Sequence, residues 1–220
     1  MIRNLLKFVV ILSIACLVIG GGVAALYGLY RGDIERRELE IKREAVDAVC
    51  PEGASVDPQT PIAGAPMAAD AVYAARDSAG RTVAYVAQGE AQGYSSVIKV
   101  MVGVRPVRRS PKGEGGAEDF AVIRVVVLSQ QETPGLGATV AETRSTYTLW
   151  EKLFGSGEAE QWVNAFLDQF RGKQAQEFPQ IHSITAATIT SNATKRAVEQ
   201  ALERIRDAAG KKGTGTGANE

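Results

Sequence analysis

Phe8 to Tyr30 reads FVVILSIACLVIGGGVAALYGLY, 23 residues without a charge. As a helix this stretch is roughly 35 Å long at about 1.5 Å per residue, and a bilayer core takes about 20 residues. A buried core helix fits it poorly, because the run is apolar all round. A cleaved signal peptide usually carries only about 7–15 apolar residues. A lipoprotein signal at Ser13-Ile14-Ala15-Cys16 lacks the usual Leu, and the apolar run continues long after Cys16. The stretch therefore predicts one uncleaved membrane-spanning helix within residues 1–32, and everything after it must fold in water.

Inside the span, Gly20, Ala24 and Gly28 recur every four residues, as do Gly21 and Ala25. Small residues on one helical face let a second membrane helix approach closely. Arg3 and Lys7 flank one end; Arg31, Arg36, Arg37, Lys42 and Arg43 flank the other. By charge alone the larger part of the chain stays in the cytoplasm. Asp33, Glu35, Glu38, Glu40 and Glu44 are mixed among those cations, and the rule weakens when a long domain follows.

Residues 33–49 (DIERRELEIKREAVDAV) read as a charged, solvated helical stalk with a thin apolar face at Leu39, Ala45, Val46 and Val49. Cys50-Pro51 ends it, because the residue before proline disfavours helical dihedrals. Residues 51–66, rich in Pro, Gly and small side chains, read as a linker, completing a 33–66 segment of juxtamembrane helix and lead-in.

The soluble domain, 67–209, mixes strand and helix signals and predicts an α+β fold. Ala71–Ala75 and Thr82–Gln88 flank Asp77-Ser78-Ala79-Gly80, a hairpin signal. Ser96–Val104 and Phe120–Leu128 are Val- and Ile-rich strands. Between them Arg105–Asp119 is a polar, Gly-rich loop. Its basic residues lack interleaved aromatics, and 25 Lys+Arg balance 25 Asp+Glu over the chain. Both facts argue against a nucleic-acid binder. Trp150, Phe154, Trp162, Phe166 and Phe170 predict one or two helices over 148–170, with their aromatic side in the core. A last helix over Ser191–Ala208 places Ala197, Val198, Ala201, Leu202 and Ile205 on one face, and 210–220 reads as a disordered tail. One His and two Cys exclude a Cys/His-rich zinc site and a disulfide scaffold, so no metal site is expected.

Two segments carry chemistry. Ser183-Ile184-Thr185-Ala186-Ala187-Thr188-Ile189-Thr190-Ser191 brings small side chains and hydroxyls to a helix start, where backbone N–H groups favour an anion such as phosphate. Read alone, Thr190 or Ser191 is as well a simple N-cap. Glu132-Thr133-Pro134-Gly135-Leu136-Gly137 follows a strand and makes a tight turn, a common ligand rim.

Together with Gly93-Tyr94 and the anchor, these segments resemble the FMN-binding domain found in the G subunit of the Rnf electron-transport complex and in the C subunit of the sodium-translocating NADH:quinone reductase. The resemblance runs from about residue 67 to 208, and the chain length sits nearer the Rnf protein. It implies FMN joined through its phosphate to a threonine hydroxyl as a phosphodiester, made by a flavin transferase from FAD. The acceptor threonine of the family motif Asp-x-x-Ser/Thr-Gly-Ala-Thr corresponds to Thr188, with Ala187 and Thr185 matching its Ala and Ser/Thr. Ala186 stands where Gly is usual and His182 where Asp is usual. If that Gly needs positive φ, Ala costs on the order of 1 kcal/mol. Glu132, Thr133, Gly135, Leu136, Gly137, Thr190 and Ser191 complete the implied cofactor site. The resemblance further implies an electron carrier without turnover of its own, other membrane subunits as partners, and an FMN domain on the periplasmic face of the inner membrane. The C subunit of the quinone reductase, or a membrane-anchored module without flavin, are the alternatives.

Overall fold

The structure, a computed structural model, describes residues 2–107, 119–142, 144–145 and 162–214, with side chains for 7–107, 119–142 and 164–210. Most of the basic loop, Trp150, Phe154, the Trp162 side chain and the tail beyond 214 lie outside the described residues. The chain divides into two units, Met1–Ile41 and Lys42–Glu220.

The first unit belongs to helix α1 (Ile2–Val49), which runs without a break from the apolar stretch into the charged one. From Lys7 on it is long and apolar enough to cross a membrane, with a mean hydropathy of 2.6 in its most apolar window. Phe8, Leu12, Leu17, Ile19 and Leu29 are all exposed. A water-soluble surface does not carry such a continuous apolar band, whereas a lipid-facing one does.

The second unit is built on a four-stranded antiparallel sheet of β1 (Val72–Arg76), β2 (Thr82–Gln92), β3 (Val97–Val107) and β4 (Asp119–Ser129), in the order β1-β2-β3-β4. The β1–β2 hairpin turns where the sequence signals it. Asp77 accepts the N–H groups of Ala79 and Arg81 through Oδ1, and Gly80 supplies φ +76°. Strands β2 and β3 pair in continuous register from Tyr85–Val104 to Gln92–Val97. A two-residue pair, β5 (Arg144–Ser145) with β6 (Trp162–Val163), stands apart from this sheet.

Strand side chains alternate between faces, and here both faces are buried. Val100, Val102 and Val104 of β3 point to one core, with Ala87, Val122, Phe166, Phe170 and Phe178. Helix α2 (Thr188–Thr214) covers this face with Ala193, Ala197, Val198, Ala201, Leu202 and Ile205. Its apolar stripe is the expected one, but the helix begins three residues before the expected Ser191. Met101 of β3 and Val86 of β2 point the other way, into a second core with Tyr73 and Ala71.

That second core is closed by Ala45, Val46 and Val49 of α1. The end of the stalk is thus a core element and not a solvated one. Four apolar positions amid many charges look solvated in sequence, yet Val46 and Val49 are fully buried. Two glycines allow the close approach of helix to sheet. A Cβ on Gly103 would lie 2.2 Å from the Val49 carbonyl oxygen, and one on Gly89 would lie 1.9 Å from that of Ala197. Cys50, half-buried just past α1, has its thiol pushed up to about 11 by burial and the nearby Asp47, so it stays protonated and inert as a nucleophile.

From Trp162 on, the aromatic segment departs from expectation; residues 146–161 lie outside the described residues. Trp162 sits in β6, and Leu167–Phe170 is one 3-10 turn, not a long helix. Phe166, Phe170 and Phe178 stack edge-to-face in the core, with ring centroids 5.7 and 5.3 Å apart. Fourfold aromatic spacing is shared by a helix and by a chain that turns back onto one core, and tertiary packing selects the second here. The turn is held by Asn164, which donates to the carbonyls of Val140 and Glu142 and accepts the N–H groups of Phe166 and Leu167.

Candidate functional site

The two chemistry-bearing segments meet. Strand β4 delivers Glu132–Gly137 to the sheet end where the β2–β3 turn, residues 93–96, closes. Helix α2 crosses the sheet so that its amino end arrives at the same place. Between them lies a cleft of about 480 Å³ lined by Tyr94, Glu132, Thr133, Leu136, Gly137 and residues 186–190.

Glu132 is buried, 6% exposed, and is the knot of the site. Its Oε1 accepts the Ser95 N–H (3.0 Å), the Ser96 N–H (2.9 Å) and the Ser96 hydroxyl (3.1 Å). Its Oε2 accepts the Tyr94 N–H (3.2 Å) and the Thr190 hydroxyl (2.8 Å). Burial alone would raise its pKa. The hydrogen bonds from Thr190, Ser95 and Ser96 outweigh that and hold the carboxyl below its ordinary value, because donors aimed at a carboxylate favour the charged form. The fit leaves no spare space. A Cβ on Gly93 would fall 2.7 Å from Oε1, and one on Gly137 would fall 2.7 Å from the Thr190 hydroxyl oxygen.

The helix start is built one turn earlier than an N-cap at Thr190 or Ser191 requires. The Ala187 carbonyl accepts the Ser191 N–H (2.9 Å), so Ala187 is the capping residue and Thr188 the first helical one. Ser191 is fully buried, and its hydroxyl accepts the Ile184 N–H (3.0 Å) instead of capping. The N–H groups of Thr188, Ile189 and Thr190 have no backbone acceptor among the described residues, as expected of a first helical turn. Thr188 is exposed on the cleft, and no described residue hydrogen-bonds its hydroxyl.

Ala186 holds φ +62°, so the motif position where Gly is usual is indeed left-handed, and here Ala occupies it. His182 is exposed, and its backbone is fixed by Gln169, which accepts its N–H (2.8 Å) and donates to its carbonyl (3.2 Å). That clamp places the segment without any acidic side chain at 182.

Of the residues expected at the site, Thr188, Ala186, Ala187, Thr190, Glu132, Thr133, Leu136 and Gly137 share the one cleft. Gly135 and Thr185 instead line a second cavity of about 390 Å³, with Thr139, Glu142, Asn164 and Ile184. Ser191 faces inward. Sequence inspection missed Ser95 and Ser96 as partners of Glu132, the apolar wall offered by Ile189, and the clamp from Gln169. Gly93-Tyr94-Ser95-Ser96 is legible as a turn between strands, but nothing local ties it to a carboxylate 36 residues away.

The donor set suits a phosphate ester bearing a flat apolar group. A hydroxyl and three N–H groups, without acceptors among the described residues, stand at a helix amino end beside the exposed apolar side chains of Tyr94, Leu136 and Ile189. Comparison with known families agrees, since residues 113–203 match the FMN-binding domain. That match spans β4, the Glu132–Gly137 turn and the start of α2.

The chain is also similar to whole proteins. The G subunit of the proton-translocating ferredoxin:NAD(+) oxidoreductase complex of Clostridium ljungdahlii is 25% identical over 203 residues, 88% of each chain. The G subunit of an ion-translocating oxidoreductase complex of Shewanella baltica is 34% identical over 128 residues, 57% of this chain and 50% of that protein. Among solved structures, that of Shewanella oneidensis NqrC matches with a TM-score of 0.42 and 19% identity, over 72% of this chain and 70% of that one.

Proposed function

We propose that this chain is a membrane-anchored flavoprotein electron carrier, the G subunit of an Rnf-type ion-translocating ferredoxin:NAD oxidoreductase complex, with FMN held through a phosphodiester on Thr188. The observation that carries this reading is the Thr188 hydroxyl, exposed at the head of α2 and bonded to no described residue, on the wall of an FMN-binding-domain cleft.

Each residue has a stated task. Thr188 Oγ1 would carry the phosphate, joined by a flavin transferase acting on FAD. The amino end of α2 favours the one negative charge a diester keeps. Tyr94, Leu136 and Ile189 offer apolar surface that keeps water from an apolar ring system. FMN, when bound, supplies one- and two-electron redox chemistry. A covalent tether retains the group on a domain exported to the periplasmic face of the inner membrane, where no FMN pool replenishes it. The names of the Clostridium ljungdahlii and Shewanella baltica relatives support a multi-subunit complex with other membrane subunits as partners. The domain is read as residues 67–209 behind a 1–32 anchor and a 33–66 connection.

Coexpression of the full chain with a flavin transferase, followed by a denaturing gel, tests this. A fluorescent band is expected for the wild type and for Thr185→Ala, and none for Thr188→Ala. A dark wild-type band overturns covalent attachment and leaves noncovalent FMN or a module without flavin. A phosphatase fused after Gly210 is expected to be active, and an inactive fusion puts the domain in the cytoplasm.

A further inference from the structure

We infer that Glu132 is a positioning residue: its carboxylate ties the 93–96 turn to the first turn of α2 and so fixes the two walls between which Thr188 carries its group, without binding that group itself. This rests on the cleft being the FMN site.

The geometry argues for it in three steps. First, the acceptor capacity of Glu132 is full. A carboxylate has about four lone-pair sites, and five donors converge on this one, from Tyr94, Ser95, Ser96 (twice) and Thr190. No acceptor remains for a ligand N–H or O–H. Second, its charge is wrong for the guest. A buried carboxylate at the helix end that is to hold a phosphodiester repels it, so proximity serves the fold. Third, the partners lie on opposite walls. Tyr94 and Ser96 belong to the β2–β3 turn, Thr190 to α2 two residues beyond Thr188, and 58 residues separate Thr190 from Glu132. The Thr190 carbonyl in turn accepts the Thr194 hydroxyl (2.9 Å), which extends the tie one turn into the helix. On the other side the Ser96 hydroxyl also accepts the Gln131 N–H (2.8 Å), so the chain leading into Glu132 and the turn fix each other. Gly93 and Gly137 leave room for this arrangement and for little else.

Amide hydrogen exchange on the full chain in detergent, without FMN, reads the tie directly. Glu132→Gln keeps the shape but places an NH₂ against donors, and Thr190→Val removes the bond from the helix side alone. Both are expected to speed exchange at residues 94–96 and 188–190 by about tenfold or more, with β1 and the first half of β2 unchanged. Unchanged exchange at 94–96, or a uniform rise through all strands, overturns the proposal. The second readout is the visible circular dichroism of the flavin attached on coexpression, which is expected to fall at least about twofold in both variants while Thr188 remains the attachment point. A wild-type flavin signal in both variants overturns the proposal. The two readings fail separately, because a wild type that takes no flavin sinks the cofactor site and leaves the exchange result standing.

Discussion

The two walls of the cleft use their polar side chains in opposite ways. Glu132 is buried and meets five donors. Thr188 is exposed, and its hydroxyl meets no described residue. A buried polar group without partners costs free energy that a folded chain rarely tolerates, so Glu132 is built into the fold. A surface hydroxyl at a helix start is free of that demand, which makes it available for chemistry. Full partnering marks structure, and spare capacity beside a cleft marks function.

Crossed substitutions give the largest effects. Thr188→Ala is expected to abolish attached flavin, read on a denaturing gel, while urea unfolding shifts by no more than about 0.5 kcal/mol. Glu132→Ala is expected to do the reverse in kind, with about 3 kcal/mol or more lost from stability as five donors lose their acceptor. If Thr188→Ala unfolds the domain, or Glu132→Ala leaves its stability intact, the contrast between the walls is false.

Gly137→Ala comes next. Its Cβ would sit 2.7 Å from the Thr190 hydroxyl oxygen and 2.9 Å from Glu132 Cβ. Overpacking of this kind costs about 1–3 kcal/mol, and chemical denaturation measures it. The same change at Gly135, where nothing lies within 4 Å but φ is +73°, tests backbone strain without crowding. It is expected to cost about 1 kcal/mol.

Acid titration gives a smaller and signed effect. Glu132 has a lowered folded pKa. Its contribution is therefore complete above the ordinary carboxyl value and is lost as pH falls through the lower, folded one. The gap in stability between wild type and Glu132→Gln is expected to hold from neutral pH to about pH 5 and to narrow below that. A gap that widens in acid would mean that the carboxyl is held protonated.

Much of this arrangement is legible in the sequence, and what is not has a physical cause. The long apolar helix shows because its run of apolar residues is unbroken, and the strands show because β-branched residues cluster between turn signals. Helix α2 shows in its stripe, but its start does not. Thr188, Thr190 and Ser191 all suit a helix amino end, and only the Ala187–Ser191 bond puts the first helical residue at Thr188. The stalk misleads because Val46 and Val49 are few among charges, and the sheet face that receives them is assembled from distant strands. The aromatics from Trp162 to Phe170 mislead because spacing states which residues are apolar and not whether one helix joins them. Thr188, Ala186 and Glu132 stand out through motif, whereas Ser95, Ser96 and Gln169 act across long sequence separations that no local pattern records.

The smallest expected effect is at Ala186, and its sign is what matters. An Ala at ordinary dihedrals loses about 0.5–1 kcal/mol on change to Gly, because the unfolded chain gains freedom. At Ala186 the φ of +62° already carries a left-handed cost of about 1 kcal/mol or more, which Gly does not bear. The two terms nearly cancel, so Ala186→Gly is expected to be neutral or stabilising by up to about 0.5 kcal/mol in urea unfolding. It also restores the residue usual in the motif beside Thr188, so flavin attachment on coexpression is expected to be at least as complete as in the wild type. A loss of about 0.5 kcal/mol or more would show that Ala186 does not hold the left-handed corner in solution. The turn that presents Thr188 to the cleft would then have to be made by a different residue, and the wall that carries Thr188 would be as adjustable as the Glu132 wall is fixed.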